Sequence, residues 1–381
     1  LEGQTVPVMG GISLDLSRMS RILEFHPEDL LVVVQPGVTY PQINERARRN
    51  GLFFPIDPGA HATLGGMVST NASGTAAVRY GVTGDYVLGL EVVTPTGRRV
   101  RMGSRARKSA SGYNLVRLYC GAEGTLGVIT EVSLRLVGLP EAALAARVPF
   151  PDVTRATAYV TSLIQAGVPV ARCELVDSRS MAAINAYRGS HYPEEMTVFL
   201  EFHGNQAGLE ADAALAEELA GQQGALAFEA SADAAERERL WEARHSHFYA
   251  TVAANPGRRS LVTDVTVPIS KLPEAVAHAY DALDELGLVG YLIGHVGDGN
   301  FHVSVFFDAG EPRVSERVTE LSHALVRHAL AAGGTSTGEH GIGLRKRGYM
   351  AEEHGEALEL MRALKAAFDP QGIMNPCKKL P

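Results

Sequence analysis

The segment His295-Val-Gly-Asp-Gly-Asn-Phe-His302 constrains this chain more than any other. Apolar runs lie on both sides of a Gly-Asp-Gly-Asn turn at 297–300, so the two runs read as an antiparallel hairpin. A hairpin brings strand ends together, and His295 and His302 can then share one ion. Two imidazoles and a carboxylate suit zinc, and would also suit manganese or iron. Gly338-Glu339-His340-Gly341-Ile-Gly343 supplies the carboxylate. Glycines at 338, 341 and 343 let the backbone come close, so Glu339 is the best third ligand. His340 beside it is then available as a base, since a metal lowers the pKa of a bound hydroxyl and a neutral imidazole can take the proton. Taken singly, each of these residues reads as an ordinary polar loop residue, with Asp298 and Asn300 serving the turn. Taken as a set, they read as a site.

The rest of the chain divides near Gly138-Leu-Pro140. Before it come two short strands at 21–35 broken by His26-Pro-Glu-Asp29, a helix from 39 to 50, and a hairpin over 87–102. A strand follows at 128–136. After the boundary, helices are expected at 153–166, 206–222, 233–253, 271–286 and 313–332. Strands are expected at 168–176, 196–203, 225–230, 261–267, 288–295 and 301–307. A last helix, 355–368, stops before Asp369-Pro370. Both halves therefore read as α+β.

With 381 residues the chain has ample core for one large or two medium domains. Its net charge of −8, with no long basic run, argues against a general nucleic-acid binder. Cys120, Cys173 and Cys377 are scattered and show no C-x-x-C spacing, which suits a reducing compartment and argues against a cysteine-built metal site. No apolar run approaches the length of a membrane span. A cytoplasmic location is expected, and peripheral membrane contact is left open.

Small-residue loops crowd the first half: Asp57-Pro-Gly-Ala60, Thr63-Leu-Gly-Gly66, Ser69–Gly74 and Gly121–Gly127. Singly, such glycines serve turns and packing. Together they suggest a buried, phosphate-bearing cofactor. No G-x-G-x-x-G follows a strand in a βαβ unit, so a dinucleotide site of the Rossmann type is not supported. Gly334-Thr-Ser336-Thr-Gly338 fits the nucleophile elbow of hydrolases, but a helix-like run precedes it instead of a strand. Arg244, in Trp241-Glu-Ala-Arg244, reads from the residues alone as a solvated charge beside Glu242 and His245; its fork would also suit a substrate carboxylate.

Ordered motifs along essentially the whole chain resemble the flavin-dependent 2-hydroxy acid dehydrogenases of the vanillyl-alcohol-oxidase superfamily, which share the PCMH-type FAD-binding fold. The D-lactate dehydrogenase (cytochrome) and glycolate oxidase flavin-subunit types are the nearest in look. In the first half the resemblance rests on Gln35-Pro-Gly-Val38, Phe54–Gly59, Thr70–Gly74, Val87–Val93 and Glu123–Ile129. In the second it rests on Leu240–Arg244, Thr263–Pro268, Gly294–His302, Thr337–Gly343 and Asp369–Pro376. It implies an FAD-binding domain over 1–138, an antiparallel-sheet cap flanked by helices over 139–354, and a tail over 355–381 that returns to the FAD domain. It implies FAD lined by Pro58, Gly59, Thr63, Gly65, Gly66, Thr70, Asn71, Gly74, Gly121, Glu123, Gly124, Gly127, Ile129 and Asn375. It also implies His295, His302 and Glu339 as ligands of a divalent metal, with Zn2+ favoured and Mn2+ the alternative, His340 as base and Arg244 as carboxylate clamp.

Two departures from the family pattern stand out. A Pro-Arg-Gly-x-Gly-Thr type pyrophosphate loop would precede the position of Leu1, so the expectation is either a fragment lacking the start of the FAD domain or impaired FAD binding. Ser304 stands where the diacid enzymes carry Asn, which favours a monocarboxylic substrate. The expected partners are a small 2-hydroxy acid and a redox acceptor: a cytochrome, a quinone, an electron-transfer flavoprotein or an iron–sulfur subunit. A homodimer is compatible, and a eukaryotic source would imply mitochondria. The competing readings are a metal-dependent hydrolase without flavin and a truncated non-catalytic subunit.

Overall fold

The computed structural model describes residues 1–59 and 62–381. It divides into two compact units. The first comprises 1–74, 80–139 and 339–381, and the second 75–79 and 140–338. Residues 339–354, expected in the cap, thus pack with the first unit. The physical reason is local: the amides of Ile342 and Gly343 both donate to the buried Glu123 carboxylate, at 2.8 and 2.7 Å.

The first unit is built on a five-stranded antiparallel sheet. Its spatial order is Ile22–His26, Leu31–Val34, Val128–Arg135, Val87–Val93 and Arg99–Gly103. Leu31–Val34 is an unbroken apolar run and is wholly buried, as a strand covered on both faces must be. Val128–Arg135 alternates instead, turning Ile129, Val132 and Leu134 into the core. The helix Tyr40–Arg48 starts at a capping box in which Thr39 pairs with Gln42, with Pro41 in its first turn. Its Ile43 and Ala47 join Leu64, Met67 and Val68 of the helix Leu64–Thr70 in the same core.

The second unit carries an eight-stranded sheet in which every neighbouring pair is antiparallel. Its main path runs Glu229–Ser231, Ala142–Phe150, Met196–Gly204, Val170–Val176, Gly290–Gly294, Asn300–Phe307 and Arg259–Val262, with Val265–Thr266 also pairing to Asn300–Phe307. Val176, Phe199 and Ile293 pack against Met181, Ile184, Trp241 and Ala250 of the helices Ser178–Arg188, Ala234–His245 and His247–Ala254. The helices Val153–Gln165, Gln206–Gln222, Leu272–Glu285 and Val314–Ala331 flank the same sheet.

Two expected elements are broken, the strand expected over 225–230 is only Glu229–Ser231, and the helix Ser178–Arg188 and one strand were not expected. The helix over 233–253 is two helices broken at Ser246, whose hydroxyl bonds back to the Ala243 carbonyl. The strand over 261–267 is interrupted at Thr263-Asp264, because the Thr263 hydroxyl takes the Val303 amide. Ala142–Phe150 forms a long strand that its alanine-rich pattern does not announce. Among the described residues, no helix is long and apolar enough to cross a membrane.

Candidate functional site

The hairpin forms as expected: Gly290–Gly294 pairs with Asn300–Phe307, joined by a short 3-10 turn at Val296–Asp298. The Asn300 side-chain amide fixes the turn by donating to Asp264, the Val265 carbonyl and the Thr266 hydroxyl, at 2.8, 2.8 and 3.0 Å. His295 and His302 stand at the two strand ends with ring centroids 5.5 Å apart and planes nearly perpendicular. Both rings are largely buried. His302 donates Nδ1–H to the Thr263 carbonyl at 3.0 Å, a bond only this tautomer can make. His295 directs Nδ1 at Glu174 Oε1, 2.7 Å away. Burial pushes the Glu174 carboxyl up, but His295 and Arg244 outweigh it and hold the group below the usual range. The carboxylate is thus ionised, and His295 is the donor. In a neutral ring either bond leaves the lone pair on Nε2, which is what a metal-binding imidazole requires.

Arg244 is buried, so the solvated-charge reading from the residues is corrected. Its neighbour Glu242 pairs with Arg188 instead. The Arg244 edge formed by Nε and Nη2 lies on Glu174 Oε2 at 2.9 and 2.5 Å, with Nη1 outside that pairing. Burial, followed by the nearby Arg244 and His302, pushes His247 down to about 3, so this buried ring stays neutral beside the Ser180 hydroxyl. Glu174, Thr263, Asp264 and His247 were not anticipated as parts of the site. The usable signal was a lone carboxylate inside the apolar strand Val170–Val176, since a charge there needs partners.

In the first unit, Glu339 and His340 open the returning segment. The Ser73 hydroxyl donates to Glu339 Oε2 at 2.8 Å, tying the ligand candidate to the Thr70–Gly74 loop. His340 Nδ1 lies 3.4 Å from a carboxylate oxygen of the buried Glu2, and its carbonyl accepts from the Gln4 side chain. The expected close approaches are present: a Cβ on Gly341 would come within 2.9 Å of Glu123 Oε1, and one on Gly343 within 2.3 Å of the Glu2 carbonyl.

The residues expected around the cofactor fall into two groups. Some serve the unit's own structure. A Cβ on Gly65 would meet Pro36 Cβ at 2.6 Å, and one on Gly127 would meet Val92 at 2.7 Å; Gly74 lies against the Asp57 carbonyl, and Ile129 is core. Thr63 precedes the helix Leu64–Thr70, which carries Gly66 and Thr70 and ends at Asn71, itself bonded to the Gly84 amide. Others lie on open backbone. Pro58 and Gly59 are irregular, and a Cβ on Gly59 would meet none of the described residues within 4 Å. Positions 60–61 of that loop lie outside the described residues. Gly121 and Gly124 bracket Glu123 in a turn with left-handed backbone at all three. Asn375 closes over this turn, donating to the Glu123 and Gln4 carbonyls at 2.6 and 3.0 Å. The Gly121, Ala122, Glu123 and Thr125 amides of this turn donate to the Val68, Tyr119, Ser69 and Ala122 carbonyls, so its shape is fixed by its own hydrogen bonds. The elbow reading does not survive: the helix Val314–Ala331 precedes Ser336, which is fully buried, and Thr335 bridges to Thr266.

Comparison with known proteins supplies the family. Residues 139–379 match the C-terminal domain of FAD linked oxidases, and residues 1–103 match an FAD binding domain. The probable mitochondrial D-lactate dehydrogenase of Danio rerio is 44% identical, covering 100% of this chain and 77% of that protein. The mitochondrial D-lactate dehydrogenase [cytochrome] of Arabidopsis thaliana is 40% identical, over 100% of this chain and 67% of that one. The glycolate oxidase subunit GlcD of Bacillus subtilis is 34% identical, over 99% and 81%. Among solved structures, p-cresol methylhydroxylase with substrate bound aligns with a TM-score of 0.75 at 18% identity, covering 96% of this chain and 79% of that one. The 4-ethylphenol oxidase of Gulosibacter chungangensis aligns at 0.74 and 18%, over 95% and 79%. These two establish the PCMH-type fold. With the FAD linked oxidase domain spanning more than half of its length and close relatives matching it throughout, the chain belongs to the FAD-linked oxidases.

Proposed function

We propose that this chain oxidises a small D-2-hydroxy acid to the 2-oxo acid, with FAD as hydride acceptor. The observation that carries the reading is the pair His295 and His302, each spending Nδ1–H inside the second unit, on Glu174 and on the Thr263 carbonyl. Two buried imidazoles fixed in that tautomer supply two of the three protein ligands of a catalytic divalent site. Glu339 is the third ligand in this reading. One peptide bond joins it to Gly338, which is packed so tightly on Asn300 and Thr266 that a Cβ there would clash with both. Consecutive α-carbons lie about 3.8 Å apart, so the 339 side chain starts within a short reach of the hairpin. Zn2+ suits two nitrogens and an oxygen, with Mn2+ the alternative.

The division of labour follows from chemistry. Arg244 meets the substrate carboxylate through Nη1 and so fixes which end of the acid lies where. A metal held by His295, His302 and Glu339 would supply Lewis acidity at the substrate hydroxyl. His340, with Nδ1 turned to Glu2, takes the hydroxyl proton at Nε2. Bound FAD would supply a hydride acceptor at N5. The substrate thereby loses one proton and one hydride, and its C2–O bond becomes a carbonyl. A separate acceptor must then take two electrons. A cytochrome is named for the Arabidopsis relative, and a quinone, an electron-transfer flavoprotein or an iron–sulfur subunit would serve the same need.

Ser304, buried on the same strand and face as His302, offers a short side chain, which favours lactate- or glycolate-sized monocarboxylates over diacids. In a eukaryote, the zebrafish and Arabidopsis relatives would place the enzyme in mitochondria. The test is anaerobic reduction of the FAD-loaded protein across a panel of D- and L-2-hydroxy acids. Bleaching by D-lactate or a close D-acid is expected. A protein that holds FAD and metal yet bleaches with none of them would refute the proposal.

A further inference from the structure

We infer that Glu174 is a positioning residue that couples the carboxylate clamp to the metal end of the site. The inference rests on the roles proposed above for Arg244 and His295. Glu174 has 0% exposure and lies mid-strand, paired across the sheet with Phe199. Its two oxygens divide between the two functional groups: Oε2 takes the Nε and Nη2 edge of Arg244, and Oε1 takes Nδ1 of His295. In a neighbourhood of Val176, Phe199 and Ile293, an apolar side chain would pack at least as well. The carboxylate does what an apolar residue would not. It pins the His295 proton on Nδ1, so that Nε2 carries the lone pair. It also sets the plane of the Arg244 guanidinium, so that Nη1 is the nitrogen presented to an incoming acid.

This arrangement makes Glu174→Gln informative. A guanidinium has no acceptor, so the carbonyl oxygen of the new amide must face Arg244. The amide NH2 is then left facing His295 Nδ1, which can only accept from it. The imidazole proton moves to Nε2, and the metal-facing nitrogen loses its lone pair. A nearly isosteric change should therefore weaken metal binding about ten- to hundredfold, the range seen when partners of metal-bound histidines are removed.

The experiment compares wild type with Glu174→Gln in the FAD-loaded protein. Zn2+ affinity is measured by competition with a chromophoric chelator, and KM and kcat are measured for D-lactate. The His295 tautomer is read by 15N NMR of the imidazole in metal-stripped protein. Expected are a loss of Zn2+ affinity of about ten- to hundredfold, a raised KM, unchanged flavin content, and a His295 shift from the Nδ1–H to the Nε2–H form. An unchanged tautomer overturns the inference, whatever the metal data show. If wild type takes up no Zn2+ while the tautomer still flips, the metal reading fails and the positioning role stands. Should Glu174→Gln misfold, the paired variant Glu174→Leu/Arg244→Met removes both charges; His295 must then lose its fixed Nδ1–H form, and retention of that form refutes the role.

Discussion

In the first unit, the groups expected to meet the cofactor are mostly backbone: the open stretch at Pro58-Gly59 and the left-handed turn Gly121–Gly124 capped by Asn375. In the second, the groups proposed to act are side chains, Arg244, His295 and His302, buried on and beside a sheet and each held by a neighbour. A backbone cradle tolerates many side chains, so its residues do not declare their roles one by one. Gly65 and Gly127, expected at the cofactor from the sequence, each also make room for a neighbour, Pro36 or Val92. A buried charge tolerates little, so each one leads to its partner.

Substitutions can break this contrast, beginning with the largest effect. His340→Ala should slow flavin reduction by D-lactate about 10²–10⁴-fold, the usual contribution of a positioned base, while the flavin absorbance of the purified protein stays the same. Stopped-flow bleaching at saturating acid reads the rate, and a near-normal rate would take the proton-acceptor role from His340. Next, Arg244→Met leaves the buried Glu174 short of its cation and should destabilise the protein by roughly 3–5 kcal/mol. The added change Glu174→Leu should recover most of that loss, as seen in denaturant melts, while kcat/KM stays low. A full recovery of kcat/KM would show that Arg244 serves stability alone.

The first unit should respond differently. Gly65→Ala forces a methyl to 2.6 Å from Pro36 and should cost about 1–3 kcal/mol in stability. Gly59→Ala meets none of the described residues within 4 Å, should stay within about 0.5 kcal/mol of wild type, and should weaken FAD instead. Equal melting temperatures for the two variants would erase the distinction between packing glycines and cradle glycines.

A loss of comparable size, but dependent on pH, is expected in the C-terminal return. Burial raises the Asp369 carboxyl, but Lys365 and the Met374 and Ile373 amides outweigh it, so its pKa lies below the ordinary 3.8. A lowered folded-state value means stability that is fully present above the ordinary value and is lost as pH falls through the folded one. Asp369→Asn should therefore lower stability at neutral pH by about 1–3 kcal/mol. The gap to wild type should close below pH 3.8. A gap that persists in acid would point to packing in place of charge.

Much of the second unit was legible because its signals are local. Apolar runs around Gly297–Asn300 specify a hairpin whichever strands lie beyond it, and the helix Leu272–Glu285 follows directly from its own periodicity. What escaped depends on tertiary partners. Glu174 sits in a strand that reads as apolar, and its meaning comes from Arg244 and His295, far along the chain. The break at Thr263-Asp264 exists because the Val303 amide and Asn300 recruit those side chains out of the ladder. The return of 339–354 to the first unit rests on tertiary bonds to Glu123, Glu2 and Gln4, which the sequence presents only as loop residues.

Metal removal probes the proposed chemistry most directly. The FAD-loaded protein is stripped with a chelator, mixed anaerobically with D-lactate, and followed through a single turnover of the flavin band. Bleaching should slow at least about 100-fold, flavin content should be unchanged, and Zn2+ or Mn2+ should restore the rate, because in the stripped protein the hydroxyl proton leaves without Lewis-acid help. Bleaching at the same rate with and without the ion would contradict a metal role for His295, His302 and Glu339.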